Sequence, residues 1–308
     1  MYALPERLTA EQYAVYPSHL KTANSQNHWI RTQPPGITSG AFLEGPSFDH
    51  DGNLLCVDIP NGRILKVTDD RQFHVLCEYD GWPNGLKIHK DGRVFIADHK
   101  NGIMILDPQS RKISRFLCEF DGLPFKGVND LFFSENEDLY FTDQGSTGLH
   151  DPAGRVFRWN QHNGLVCVMD KIPSPNGLTT NVNETALYVA VTRANAVWRL
   201  PLMADGSTTK VGNFIQLSGG TGPDGMAMDE AGTLFVAHPG KGVVWGFEKT
   251  GEPIYRIDTP QGSRPTNVAF GGADNRTLFI TESDSSSIVC VKMGVAGRRM
   301  FSHNGIKT

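Results

Sequence analysis

Six polar residues, Glu44, Asn84, Asn129, Asn176, Asp224 and Asn267, share one local setting: each stands directly ahead of a short apolar strand. Carboxylate and carboxamide oxygens are what a hard divalent cation prefers. Two carboxylates, Glu44 and Asp224, would balance its two positive charges. Asn176 is the clearest case. An Asn-Gly pair ordinarily makes a hairpin turn, yet Asn176-Gly177 opens a strand and the reversal comes later, at Asn181 to Thr185. The Asn176 amide oxygen is then available to point inward, and Gly177 lets the backbone pass close by. Asn, Asp and Gly also begin strands well through local hydrogen bonds, and for Asn84 and Asn267 that reading competes with a ligand role.

The elements that must position these residues form a repeat. EGPSFDHDGNLLCVD, NGLKIHKDGRVFIAD, NDLFFSENEDLYFTD, NGLTTNVNETALYVAV, DGMAMDEAGTLFVAH and NVAFGGADNRTLFITE follow one plan: polar residue, apolar strand, turn, second strand. They recur every 40 to 48 residues, which suits a four-stranded unit. The strands are rich in β-branched and aromatic residues, and Asp-Gly marks the turns at Asp51 and Asp91. The expected fold is all-β: a six-bladed β-propeller of four-stranded antiparallel blades occupying residues 38–308. A sandwich offers no reason for six similar units.

Residues 1–37 stand outside the repeat as an N-terminal extension, with a short helix predicted over LTAEQYAVY and an irregular lead-in at the Pro-Pro-Gly run 34–36. The segment RRMFS, from Arg298, is the candidate outer strand of blade six. In a propeller the innermost strands run the same way along the channel, so the six leading residues converge at one mouth. Second strands return to that mouth, so the loops after Asp58, Asp98, Asp143, Thr192, His238 and Glu282 rim it. The longest of them, Gln144 to Arg155, suits a partial lid.

Composition excludes several function classes. With 29 Lys+Arg against 33 Asp+Glu, the net charge of -4 provides no footprint for nucleic acid or an anionic membrane. No apolar run reaches the roughly 20 residues of a membrane span, and the N-terminus lacks a basic-then-apolar signal layout. The five cysteines are odd in number, scattered and without C-x-x-C pairing, which reads as buried small hydrophobes in a reducing compartment. The expectation is a soluble, cytoplasmic protein; no oligomeric state follows.

A divalent ion with an open face at a channel mouth polarises a carbonyl while a nearby carboxylate activates water. No G-x-S-x-G elbow or Ser/His/Asp grouping competes with that chemistry. The ordered set E-G-P, N-D, P-N-G and P-D-G, in FLEGPSFDHDGNLLCVD, GVNDLFFSENEDLYFTD, SPNGLTTNVNETALYVAVTRANAVWRL and GPDGMAMDEAGTLFVAH, resembles the regucalcin and gluconolactonase family across roughly Ala41 to Val291. The resemblance implies a six-bladed propeller with one catalytic divalent cation held by Glu44, Asn176 and Asp224, with Asn129 as further ligand or substrate contact. It also implies Asp224 as the base that activates water, and hydrolysis of a small, sugar-derived lactone.

Calcium is favoured over magnesium because neutral amides in a flexible ring tolerate variable coordination; zinc and manganese are alternatives. Lys126, Asp143, Arg193 and His238 are candidate substrate contacts around the rim. Family members often place a basic residue just before the blade-three Asn, whereas here Lys126 lies three residues ahead of Asn129. Two other readings share the same residues: a phosphotriesterase-like hydrolase, and a non-catalytic calcium-binding propeller.

Overall fold

The computed structural model describes residues 3–33 and 40–304. Each copy of the repeat opens with two strands joined by a tight turn, and the turn residues explain why. In blades one and two the fourth residue after the inner strand is Gly52 or Gly92, with φ of 83° and 90°, and its N–H bonds the carbonyl of Asp49 or His89. Blades three and four make the same turn with Glu137 and Glu184, at φ of 72° and 53°. The reversal therefore persists where the glycine does not.

The blades follow in chain order. Blade one comprises Leu43–Phe48, Leu54–Asp58, Arg63–Val67 and Phe73–Glu78. Blade two comprises Pro83–Ile88, Val94–Asp98, Gly102–Asp107 and Lys112–Leu117. Blade three comprises Val128–Phe133, Leu139–Asp143, Gly154–Asn160 and Gly164–Ile172, and blade four Pro175–Thr180, Ala186–Val191, Ala196–Pro201 and Gly212–Gln216. Blade five is built on Met226–Met228, Leu234–His238, Val243–Phe247 and Pro253–Asp258; blade six on Pro265–Gly271, Thr277–Glu282 and Ser287–Lys292. The six-bladed antiparallel propeller expected from the repeat is the observed fold.

Blade six takes its outer strand from the N-terminal segment. Glu11–Val15 pairs antiparallel with Ser287–Lys292, and Glu6–Thr9 adds a fifth, parallel strand to blade five along Pro253–Asp258. This corrects the expected helix over LTAEQYAVY. Ala, Glu and Gln favour a helix locally, but two open sheet edges satisfy the backbone here, and Ala10, Ala14 and Tyr16 are buried between blades. The short helix of the extension lies further on, at His28–Thr32, capped by the Asn27 side chain on the Ile30 N–H. The Pro-Pro-Gly run falls outside the described residues.

RRMFS is not the outer strand either. Arg298 lies across the end of the blade-four inner strand, donating to the carbonyls of Thr180 and Asn181 and pairing with Glu184, while Phe301 stacks on Phe133. This C-terminal segment covers the channel at the mouth opposite Asn176. Beneath it is a cavity lined by Ser47, Lys87, Phe132, Thr179, Met228 and Met300, among others.

The apolar core is divided into six wedges, each between adjacent blades. Leu43, Cys56 and Ile288 fill the wedge between blades one and six; Phe95, Phe133 and Phe141 fill that between blades two and three. Sheets facing each other around a ring bury their faces pairwise; along the axis, polar residues gather at the Asn176 mouth, and Phe132, Met228 and Met300 line the cavity at the other end. Among the described residues, no helix is long and apolar enough to cross a membrane.

Candidate functional site

The backbone aims the leading residues at the axis through a recurrent irregularity. The register between inner and second strands shifts at Glu44/Ser47, Pro83/Gly85, Val128/Leu131, Pro175/Leu178 and Pro265/Asn267. A bulge bends the strand and redirects side chains; Asn84, Asn129 and Asn176 fall within the shift, while Glu44 and Asn267 are paired residues at its edge. In blade five, Asp224 instead precedes the strand, its N–H held by the Ala237 carbonyl.

Glycines then allow the blades to close around these residues. A Cβ on Gly177 would lie 2.5 Å from the Asp224 carbonyl oxygen, and one on Gly225 would lie 2.0 Å from Asn267 Cγ. Hydroxyls strap neighbouring blades at the same level: Thr142 Oγ1 donates to the Asn176 carbonyl, Thr192 Oγ1 to that of Pro223 and Thr266 Oγ1 to that of Leu43, all at 2.8 Å.

Glu44, Asn176 and Asp224 come together as expected from their positions. Glu44 is buried, and its carboxyl is pushed well above the usual range by burial and then by Asp224 and Asp130, against the donors Asn267 and Gly45. Asp224 is half-buried; burial and then Asp130 push it up to about 7, while a hydrogen bond from Asn176 and the charges of Arg193 and Arg264 pull it down. Several acids that raise one another's pKa in a buried site are short of positive charge.

Asn129 adds a second observation that bears on the kind of group the site suits. Its Nδ2 donates to Gln144 Oε1 at 3.0 Å, and Gln144 in turn donates to Ser174 Oγ at 2.9 Å. That orientation leaves Asn129 Oδ1 buried with no donor among the described residues. Buried acceptors are ordinarily satisfied, so this oxygen and the crowded carboxylates suit a hard cation. Among the described residues, no three His, Cys, Asp or Glu side chains form a metal-binding group; the donor set depends on amides.

Asp130 was missed by sequence reasoning. It is 3 % exposed and carries charge into the ring, its carboxyl raised by burial and held back by Lys87, the Leu131 N–H and Asn267. The signal was present: where blades one, two, four and five follow their leading residue with glycine, blade three has Asp130. Asn84 is half-buried at the same level of the ring.

Residues 42–284 match the family described as SMP-30/Gluconolactonase/LRE-like region. The chain belongs to this family. The gluconolactonase of Zymomonas mobilis is 32% identical to this SMP-30/gluconolactonase/LRE-like chain over 274 residues, covering 79% of it and 76% of the relative. Lactonase drp35 of Staphylococcus saprophyticus is 29% identical, covering 89% and 88% respectively. Among solved structures, a calcium-binding protein, regucalcin from Agrobacterium tumefaciens, superposes with a TM-score of 0.76 at 21% identity, covering 97% of this chain and 98% of that one.

The four rim residues of this SMP-30/gluconolactonase/LRE-like chain divide into two kinds. Asp143 is fully buried: Oδ1 accepts from the Gly127 N–H at 2.9 Å, and Oδ2 receives both Nε and Nη2 of Arg155. Asp58 and Glu282 bind the N–H of Phe42 and Arg264 in the same way, so an acid at the end of the second strand anchors the chain entering the inner strand. His238 is also engaged internally, with Nε2 against the Gly219 carbonyl and Nδ1 accepting from Trp245 Nε1. Lys126 and Arg193 are exposed, and Arg193 lies beside Gly148 of the long rim loop.

Proposed function

We propose that this protein is a metal-dependent lactonase acting on a small, sugar-derived lactone. The observation that carries the reading is the meeting of Glu44, Asn176 and Asp224 with the orphaned Asn129 Oδ1 at one channel mouth. The lactonase relatives from Zymomonas and Staphylococcus support the reaction class. Glu44, Asn129, Asn176 and Asp224 would hold one divalent cation, with calcium favoured over zinc or manganese for an all-oxygen set containing neutral amides. When bound, such a cation polarises the lactone carbonyl and offsets the charge developing on its oxygen.

Asp224 is the group suited to accept a proton from water. It is less enclosed than Glu44, and two rim arginines act on its charge. Proton transfer to its carboxylate frees a water oxygen to attack the carbonyl carbon. Cleavage of the ring C–O bond then releases a hydroxy acid, the leaving alkoxide taking back the proton that Asp224 accepted. Arg193 and Lys126, exposed on the rim, are placed to contact polar substituents of the substrate; Asp143 and His238 act by holding the loops that carry the site. The unpaired cysteines suit a reducing, cytoplasmic setting.

A lactone panel tests this proposal. EDTA should abolish hydrolysis, with calcium, zinc or manganese restoring it, and Asp224→Ala should fold without activity. Hydrolysis that survives either treatment refutes the assignment, and faster turnover of phosphotriesters than of lactones redirects it to that substrate class.

A further inference from the structure

Asn129 and Asn267 both stand at the channel mouth but one position out of step: Asn267, with its N–H on Thr281 Oγ1, matches Asp130, with its N–H on Thr142 Oγ1, and Thr266 matches Asn129. Their carboxamides face opposite demands. Asn129 uses its NH2 on Gln144 and leaves its oxygen without a donor. Asn267 has both ends engaged. Its Oδ1 accepts from the Val268 N–H at 2.8 Å, while its Nδ2 donates to Glu44 Oε2 at 2.9 Å and lies 3.3 Å from Asp130 Oδ2. Two carboxylate oxygens on one side and a backbone donor on the other leave one chemically sensible orientation for the amide.

From this geometry we propose that Asn267 is a positioning residue for the cation site and not a ligand: it clamps Glu44 and Asp130 in a common orientation from the side away from the ion. The proposal rests on the metal-dependent reading above. Asn267 is 2 % exposed, its N–H is held by Thr281 Oγ1 at 3.0 Å, and Gly225 of blade five lies directly over its Cγ. A side chain locked from three directions can transmit that order to Glu44, whose Oε2 also accepts from the adjacent Gly45 N–H. Without Asn267, two buried carboxylates would face each other with no shared donor.

Outer residues that orient a ligand typically change metal affinity by about 10- to 100-fold when removed. Terbium(III) serves as the probe, a hard cation whose luminescence decay in H2O and D2O counts bound water. Wild-type protein should bind one ion. Asn267→Ala should weaken binding at least about tenfold with no added water, whereas Asn129→Ala, which removes a proposed ligand, should admit one. Glu44→Gln and Asn267→Ala should also be non-additive, the double variant binding little worse than Glu44→Gln alone. If Asn267→Ala does not fold, Asn267→Ser takes its place in the same measurements.

An extra bound water in the Asn267 variant, unchanged affinity, or strict additivity with Glu44→Gln would overturn the positioning role. Failure of the wild-type protein to bind the ion at all would instead defeat the metal-dependent reading beneath it.

Discussion

The Tyr16 hydroxyl donates a 2.8 Å hydrogen bond to Asp58 Oδ2, joining the segment that completes blade six to the second strand of blade one. Asp58 also accepts from the Phe42 N–H and from Asn61 Nδ2. One fully buried carboxylate therefore gathers the N-terminal segment, the entry to the first inner strand and the rim loop of blade one. Tyr16→Phe removes one donor and leaves two. The expected loss is about 1–3 kcal/mol, read from urea unfolding, with the metal affinity of the folded protein unchanged.

Asp58 also makes stability depend on pH in a defined direction. Burial raises its carboxyl from 3.8 to about 6, against its hydrogen-bond donors and the charge of Arg63. The native state then binds more protons than the unfolded state between these values. The contribution is fully present below pH 3.8 and is lost as pH rises through about 6. Comparing Asp58→Asn with wild type by denaturation from pH 4 to 7 should show the parent losing on the order of 3 kcal/mol relative to the variant. A constant difference across that range would contradict the shift.

Lys87 is buried and donates to the Leu86 carbonyl at 3.2 Å, and its charge acts on Asp130. Lys87→Met would leave the axial acids without this internal countercharge. In EDTA the variant should be less stable than wild type, by no more than the roughly 3–5 kcal/mol lost when a contacting buried ion pair is broken. The double change Lys87→Met with Asp130→Asn should recover most of the loss, a result that equilibrium unfolding can read directly.

Gly177→Ala tests the close approach of blades four and five. The added methyl would meet the Asp224 carbonyl oxygen at 2.5 Å and Gly225 Cα at 2.7 Å, and neither backbone atom can swing aside as a side chain would. A loss of about 1–3 kcal/mol is expected, accompanied by weaker cation binding because Asn176 and Asp224 are forced apart. Calorimetric titration with calcium measures the second effect independently of the first.

His238→Ala separates loop support from substrate contact. Both ring nitrogens are engaged within blade five and its entry loop, and burial pushes the imidazole pKa down. The melting temperature should fall while KM for a lactone substrate stays as in wild type. A raised KM in a protein of unchanged stability would return His238 to the substrate-binding set.

The repeat made the blades readable before any coordinates, since period-two strands and Asp-Gly turns are local properties of the chain. The same local character led to the helix expected over LTAEQYAVY: those residues do favour a helix, and the open edges of two distant blades overrode the preference. RRMFS failed as a strand for a related reason, because the edge it was meant to occupy was already filled from the other end of the chain. Asp143 and His238 were placed correctly beside the rim, but exposure and hydrogen-bond partners depend on neighbours that spacing does not reveal.

The candidate site divides along the same line. Residue types and their recurrence sufficed to nominate Glu44, Asn129, Asn176 and Asp224, because hard oxygen donors at equivalent points of a ring must converge. Which Asn offers its oxygen and which its NH2, and that Asp130 joins the ring with Lys87 behind it, depended on contacts between blades. An amide is chemically two-faced, and its orientation is set by the donors and acceptors folding brings to it, so two asparagines at one channel mouth can take different roles.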